Sequence, residues 1–420
     1  MRFFLLFSGI LISATASLHA DWNQFRGDNA QGVSEESVAR EWSAEDGVVW
    51  KTELPGRGSS SPIVIGDAVF CTSYTGQANE VERHLFRIAL ATGEVVWQQT
   101  VPVGFPEDEA RGYILEHGWA SNTPVSDGEN LYCFFGKAGV VAFDLDGEKL
   151  WAVETGGQSS QKRWGSASSP ILYEDLLIIP AGDERRAILA LDKSSGAIVW
   201  EQKRPSLEQT YGTPVVVEVD ENRTDLVFAG AAEWMGLDPS NGEVRWTARY
   251  NLPGNNSNTT AVSDEVLTIS GGFPRTARVA IPIGVTGDAT DQLLYDTQKP
   301  ATYMTAPVEH NGVLYWISDS GIAFAAEPGE AEALWAERLP GLQGGGRGKP
   351  FYASPILAGG LIYAQSRGNG TFVLAPSRDR LELVAQNRIE SDTTEFNGTP
   401  AVAGGKLLLR SQTHLYAIGE

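Results

Sequence analysis

One short pattern recurs eight times along the 420 residues: a small residue, usually a proline, then mostly β-branched aliphatics. It stands as Ser61-Pro62-Ile63-Val64, Thr123-Pro124-Val125, Ser169-Pro170-Ile171-Leu172 and Thr213-Pro214-Val215-Val216 in the first half of the chain. The second half carries Thr260-Ala261-Val262, Ala306-Pro307-Val308, Ser354-Pro355-Ile356-Leu357 and Thr399-Pro400-Ala401-Val402. After a first interval of 62 residues the copies follow one another every 44 to 48 residues. That period is the length of a four-stranded propeller blade, so the chain is expected to fold as a ring of small sheets.

Each copy continues in the same way. In six of them a two-residue turn follows the proline by four and five positions: Gly66-Asp67, Gly128-Glu129, Glu174-Asp175, Asn311-Gly312, Gly359-Gly360 and Gly404-Gly405. Most contain the Gly or Asn that a tight hairpin needs for its positive φ. A second strand, a third such as Ile188-Leu189-Ala190-Leu191-Asp192, and a glycine turn lead to a fourth strand. That strand bears tryptophan at one place in six units: Trp50, Trp97, Trp151, Trp200, Trp246 and Trp335. Unit five has Leu293-Leu294-Tyr295 there, and unit seven has no aromatic. The last unit ends at Ile418-Gly419-Glu420 without a fourth strand, whereas a matching one lies at 47–54. The prediction is an all-β, eight-bladed propeller of antiparallel blades over 47–420, closed by pairing strand 47–54 with the C-terminal strand. Closure removes the exposed sheet edge.

Composition narrows the partners. With 32 Lys+Arg against 53 Asp+Glu the net charge is −21, which disfavours nucleic acid and anionic membranes. Two cysteines are too few for a disulfide scaffold or a four-thiolate metal site. Met1-Arg2, the apolar run Phe3 to Ile12 and the small residues up to Ala20 form a secretory leader at 1–20, cut after Ala20 or alternatively Ala16. A periplasmic or secreted protein with no membrane span is expected, with 21–46 as an N-terminal extension. No cysteine follows the leader to accept a lipid.

The Gly-x-x-x-Trp fourth strand, seen in Gly93 to Trp97, Gly147 to Trp151 and Gly196 to Trp200, follows an Ala-Leu-Asp or Leu-Asp third strand. This arrangement resembles the pyrroloquinoline quinone-like eight-bladed propellers. The opening Asp21-Trp22-Asn23-Gln24-Phe25-Arg26-Gly27 is similar to that of secreted bacterial members. The resemblance implies that the six tryptophans dock neighbouring blades. It brings two functional relatives, the propeller subunit of the outer-membrane barrel-assembly machine and the quinoprotein dehydrogenases, whose catalytic members bind the quinone with calcium.

Turns joining strands one to two and three to four should form a plain face, and the longer connections an elaborated one where binding resides. Residues preceding each first strand should rim the channel mouth on that second face. They are Arg57, His117, Trp119 and Asn122 from the first two units, Arg163, Trp164, Tyr211 and Asn256 from the next three, and Tyr303, Lys349, Tyr352, Glu395 and Asn397 from the last three. Such a ring of aromatic and hydrogen-bonding groups suits a planar or polar ligand.

Residues for catalysis are not legible. Cys71 and Cys133 lie far apart, both nine positions after their unit's proline, and are expected as buried free thiols. His84, His117, His310 and His414 fall in four different units without ligand spacing. Glu107-Asp108-Glu109 lacks the spaced oxygens of a calcium loop, and Gly344 to Gly348 lacks the strand–loop–helix context of a nucleotide site. No cofactor or metal is expected. The sequence therefore points to a monomeric, non-catalytic binding or scaffolding module for an envelope protein or small ligand at the loop-rich face. A quinone-dependent oxidoreductase or a cofactor-binding remnant is the alternative.

Overall fold

The computed structural model describes residues 21–77, 80–101, 104–110, 112, 114–252, 254, 256–263, 265–343 and 349–419; the leader and the Gly344 to Gly348 loop lie outside these. Eight antiparallel sheets follow one another in chain order. Blade one is typical, with strands Ile63–Ile65, Ala68–Thr75, Glu82–Ala89 and Val95–Val101 from the inside outwards. The eighth sheet is composite. Val48–Glu53 pairs antiparallel with His414–Ile418, with Trp50 opposite Ala417 and Glu53 opposite His414, and supplies the outer strand to Ala401–Ala403 and Lys406–Arg410. Both ends of the chain thus close the ring, as the missing strand required.

The apolar alternation of each strand is spent between blades rather than within one central core. Ile63, Phe70, Leu131 and Val141 fill the layer between blades one and two. Phe134, Leu177 and Leu189 fill the next, and Ile178, Ile188, Leu226 and Met235 the one after. Cys71 and Cys133 are buried and unpaired, and burial pushes the Cys71 thiol up to about 11 against the opposing pull of Arg410. A thiol held protonated inside a packed layer is a poor nucleophile. Both cysteines should therefore resist a thiol reagent in the native protein and react fully once it is unfolded in guanidinium.

Two devices join the blades. Indole Nε1 of Trp50, Trp97, Trp151, Trp200 and Trp335 donates to a carbonyl in the three-to-four turn of the next blade: Leu90, Leu145, Lys193, Pro239 and Ser377, at 2.9–3.1 Å. The turn glycine lies flat on the ring, so a Cβ at Gly93 would sit 2.6 Å from Trp50 and one at Gly242 2.5 Å from Trp200. Trp200→Phe keeps the ring but strands the Pro239 carbonyl, and should cost about 1 kcal/mol in chemical denaturation.

Three junctions depart from this pattern. Trp246 donates to Asp225 of its own blade, because the outer strand of blade four, Val244–Arg249, is instead capped by a parallel strand at Gly287–Asp288. In blade five, which lacks the tryptophan, the Arg278 guanidinium packs on Tyr295 and Trp316 and donates to the Glu330 and Ala331 carbonyls of blade six. Beside blade seven, Trp42 of the N-terminal extension joins the layer containing Tyr363, Ile389 and Phe396.

The second device explains the small residue before proline. Its hydroxyl accepts the backbone N–H of the equivalent residue one blade earlier: Ser61 N to Thr123, Thr123 to Ser169, Ser169 to Thr213, Thr213 to Thr259, Ala306 to Ser354 and Ser354 to Thr399, at 3.0–3.4 Å. These bonds also correct the reading of unit five. Its inner strand starts at Ala261, opposite Thr268, so Thr260 holds the proline's place and Thr259 the hydroxyl's, one residue earlier than the sequence pattern suggested.

Candidate functional site

The N-terminal extension transforms the channel. Trp22 bridges to Val64 on blade one, Asn23 to Ser126 on blade two, and Asn29 to Val216 on blade four. Gln31 reaches Thr260 and Val262 on blade five, and Val33–Ser34 pairs parallel with Leu357 and Ala358 of blade seven. All these partners lie on inner strands or, for Thr260, immediately before one. The segment therefore crosses the face that carries the strand-one-to-two turns, where the sequence suggested only short, plain connections. Its anchor is Arg26, only 1% exposed. One guanidinium nitrogen, Nη2, donates to the carbonyls of Gln31, Pro307 and Pro355. No ion pair to Arg26 is present among the described residues, and burial lowers its pKa to about 9. A cation over converging carbonyl oxygens is stable only because they replace its water.

The channel is consequently blind, a pocket of about 150 Å³ floored by Phe25. Above the floor run the blade-joining hydroxyls Ser61, Thr123, Ser169, Thr213, Thr259, Ser354 and Thr399. Six of the thirteen predicted rim residues line the pocket: His117, Trp164, Tyr211, Tyr303, Tyr352 and Asn397. His117 Nε2 donates to the Trp164 carbonyl at 2.8 Å and Nδ1 meets Ser121 Oγ at 2.7 Å, while burial lowers its pKa and keeps the ring neutral. The short helix Ile114–His117 lies at the mouth, with His117 on the pocket wall. Glu116 pairs with Arg367, its carbonyl accepts Asn397 Nδ2 at 2.9 Å, and Arg367 stacks on Tyr352 at 4.2 Å. The connection between blades one and two is thereby tied to blades seven and eight across the opening.

The other seven predicted residues lie elsewhere. Lys349 sits behind the wall, 3.5 Å over the Tyr303 ring and paired with Asp319. Glu395 serves Arg367 and Gln412. Arg57 is exposed and pairs through its backbone with Tyr74, and Arg163, 55% exposed, approaches Asp108 at 3.8 Å. Asn256 is fully buried because its amide satisfies the Ala229 carbonyl and the Asn258 N–H. Trp119 turns away from the channel into a small apolar cluster with Val81 and Ile114, edge-on to Tyr74. With Asn122 it lines a second, smaller pocket of about 20 Å³.

That second cavity was not foreseen. Arg83 pairs with Glu107 and Lys137 with Asp108 on its wall, while Asp183 and Glu184 pair with no cation among the described residues. Asp183 accepts Gln209 N at 2.9 Å and the Tyr211 hydroxyl at 3.4 Å, and burial raises it to about 6. Glu184 Oε2 has no hydrogen-bond partner, and burial, then the Asp183 charge, raises it to about 8. Only the pairing of the loop acids with Arg83 and Lys137 reveals which carboxyls are left over.

The quinone–calcium pair implied by the sequence resemblance does not fit the pocket. Among the described residues no Asp or Glu lines it, whereas calcium takes six to eight oxygens that normally include carboxylates. The nearest acids on the mouth, Glu116 and Glu395, are held by Arg367. Among the described residues no group of three or more His, Cys, Asp or Glu could hold a metal ion, and no helix is long and apolar enough to cross a membrane.

Comparison with known proteins agrees with the architecture. An outer membrane protein assembly factor BamB from Burkholderia pseudomallei is 22% identical over 381 residues, covering 87% of this chain and 85% of that protein. A polyvinylalcohol dehydrogenase from Sphingopyxis is 25% identical over 243 residues, 48% of this chain, and the chain matches only 35% of that enzyme's length. The crystal structure of BamB from Moraxella catarrhalis superposes with a TM-score of 0.61 at 15% identity, over 88% of this chain and 96% of that one. The profile of one family matches residues 83–379, from the third strand of blade one to the turn before the outer strand of blade seven, and by that match the chain belongs to the family described as outer membrane protein assembly factor BamB.

Proposed function

We propose that this protein is a non-catalytic propeller of the periplasm or exterior that presents its loop-bearing face to an envelope protein. The observation that carries the reading is the pocket itself: residues 21–34 cover one end of the channel, no carboxylate among the described residues lines the pocket, and those at its mouth, Glu116 and Glu395, are held by Arg367. The near full-length match to an assembly factor supports it, against a match to about a third of a dehydrogenase. His117, Trp164, Tyr211, Tyr303, Tyr352 and Asn397 are the proposed contact residues at the mouth.

Photo-crosslinking amino acids placed at Leu115 and Lys162 on the mouth face, and at Asp67 and Asp175 on the opposite face, test this in intact envelopes. A discrete protein adduct from the mouth positions only is expected. Adducts from neither face, together with stoichiometric quinone binding and dye-linked alcohol oxidation on adding the quinone and calcium, would replace the scaffold by the enzyme.

A further inference from the structure

The eight blades present their outer strands to the rim, where only that of blade four is covered among the described residues, and these strands are not equally defended. A register shift marks a bulge in six of them, and in five of these the unpaired residue is a solvent-facing aliphatic, Val49, Val96, Leu150, Val199 or Val384, the first four preceding the docking tryptophan. Bulges and charges are the usual means of keeping an edge from pairing. Seven outer strands carry charge: Lys51 and Glu53, Lys149, Glu201 and Lys203, Arg245 and Arg249, Asp296, Glu337 and Arg338, and Glu382. Blade one is the exception. Its outer strand Val-Val-Trp-Gln-Gln-Thr-Val, Val95–Val101, is the longest of the eight at seven residues and has no charge at all.

The molecule also shows what an outer edge accepts. Blade four receives Gly287–Asp288 as a short parallel strand, Trp246 opposite Gly287 and Thr247 opposite Asp288, with Ala289 N donating to the Thr247 carbonyl at 2.8 Å and the Ala289 side chain fully buried there. That blade carries Arg245 where five others expose an aliphatic. Blade one offers a longer edge with Val95 37% and Val96 54% exposed, and no strand covers it among the described residues.

We infer that the Val95–Val101 edge is a strand-addition site for an extended, uncharged or basic segment of a partner protein. Backbone pairing would supply the attachment, and Val95 and Val96 the aliphatic contact. A second copy of the chain is the poorer occupant, because two molecules of net charge −21 repel one another. The inference deepens the scaffold reading by naming a second contact surface, on the rim rather than at the channel mouth.

The test uses the intact protein and a labelled synthetic strand, alternating Thr and Val over seven residues with two lysines beyond its end. Saturable binding is expected, with slowed amide exchange confined to Val95–Val101. Val96→Lys combined with Gln98→Glu should weaken binding at least tenfold, while Val199→Lys combined with Gln202→Glu on blade three should leave it within twofold. Equal loss in both variants, protection centred on the channel mouth, or no binding to a folded protein would overturn the proposal. So would a concentration-dependent dimer abolished by the blade-one variant, which would give the edge to a second copy. Because the probe is synthetic and the variants lie away from the mouth, this result is independent of the crosslinking outcome.

Discussion

Glu184→Gln should stabilise the protein at pH 8 and leave it almost unchanged near pH 4. The buried Glu184 carboxyl titrates at about 8 in the folded state against 4.5 ordinarily, first because of burial and then because Asp183 is adjacent. A raised acid binds its proton more tightly in the folded chain than in the unfolded one, so stability falls as pH climbs from about 4.5 to 8. Over that window the accumulated loss is on the order of 4 kcal/mol. The amide mimics the protonated acid at every pH and removes the loss. Thermal melts from pH 4 to 9 should therefore show wild type and variant coinciding in acid and diverging by about 5 °C at pH 8. Parallel curves would show that the Glu184 charge is compensated. Asp183→Asn should behave differently, because it also alters the acceptor for the Tyr211 hydroxyl on the channel wall.

Arg26→Ala should be the most damaging single change in the N-terminal extension. Truncation leaves the Gln31, Pro307 and Pro355 carbonyls without their donor and a cavity where the guanidinium lay. A loss of roughly 4 kcal/mol follows from stranded buried acceptors together with the void. The same change should unseat the floor of the pocket next to Phe25. Proteolysis should then release residues 21–46 from an otherwise folded ring, and a small apolar dye should enter the channel from both ends. Wild-type protease resistance in the variant would mean that the strap is held by Trp22, Asn29 and Gln31 without its anchor.

Much of the architecture was legible because a propeller repeats one local rule. Each proline punctuates an inner strand, each Gly or Asn turn fixes a hairpin, and the Gly-x-x-x-Trp strands, that of blade four apart, place an indole over the next blade's turn. The register of unit five was misread by one residue because Thr260 replaces the proline that marks the position elsewhere. The site was less legible. Residues preceding inner strands approach the axis in every unit, but whether a side chain enters the channel depends on backbone groups nearby. Asn256 is consumed by the Ala229 carbonyl and Trp119 by an apolar cluster, and neither fate leaves a mark in spacing. The hydroxyl ring did leave one. The Ser or Thr before each proline was visible, but its role as acceptor for the preceding blade was not read.

The period, the turn residues and the divided last unit by themselves determined the number of blades, their order and the closure of the ring, since these depend on interactions local to one repeat or between adjacent ones. Only the tertiary structure decided that residues 21–34 cover one end of the channel, that Asp183 and Glu184 pair with no cation among the described residues, and that Arg278 and Trp42 pack at the junctions where the docking tryptophan is missing. Each of those depends on groups distant in sequence meeting in a low-dielectric interior, where an unmatched charge or donor costs most and its partner is chosen by position rather than by pattern.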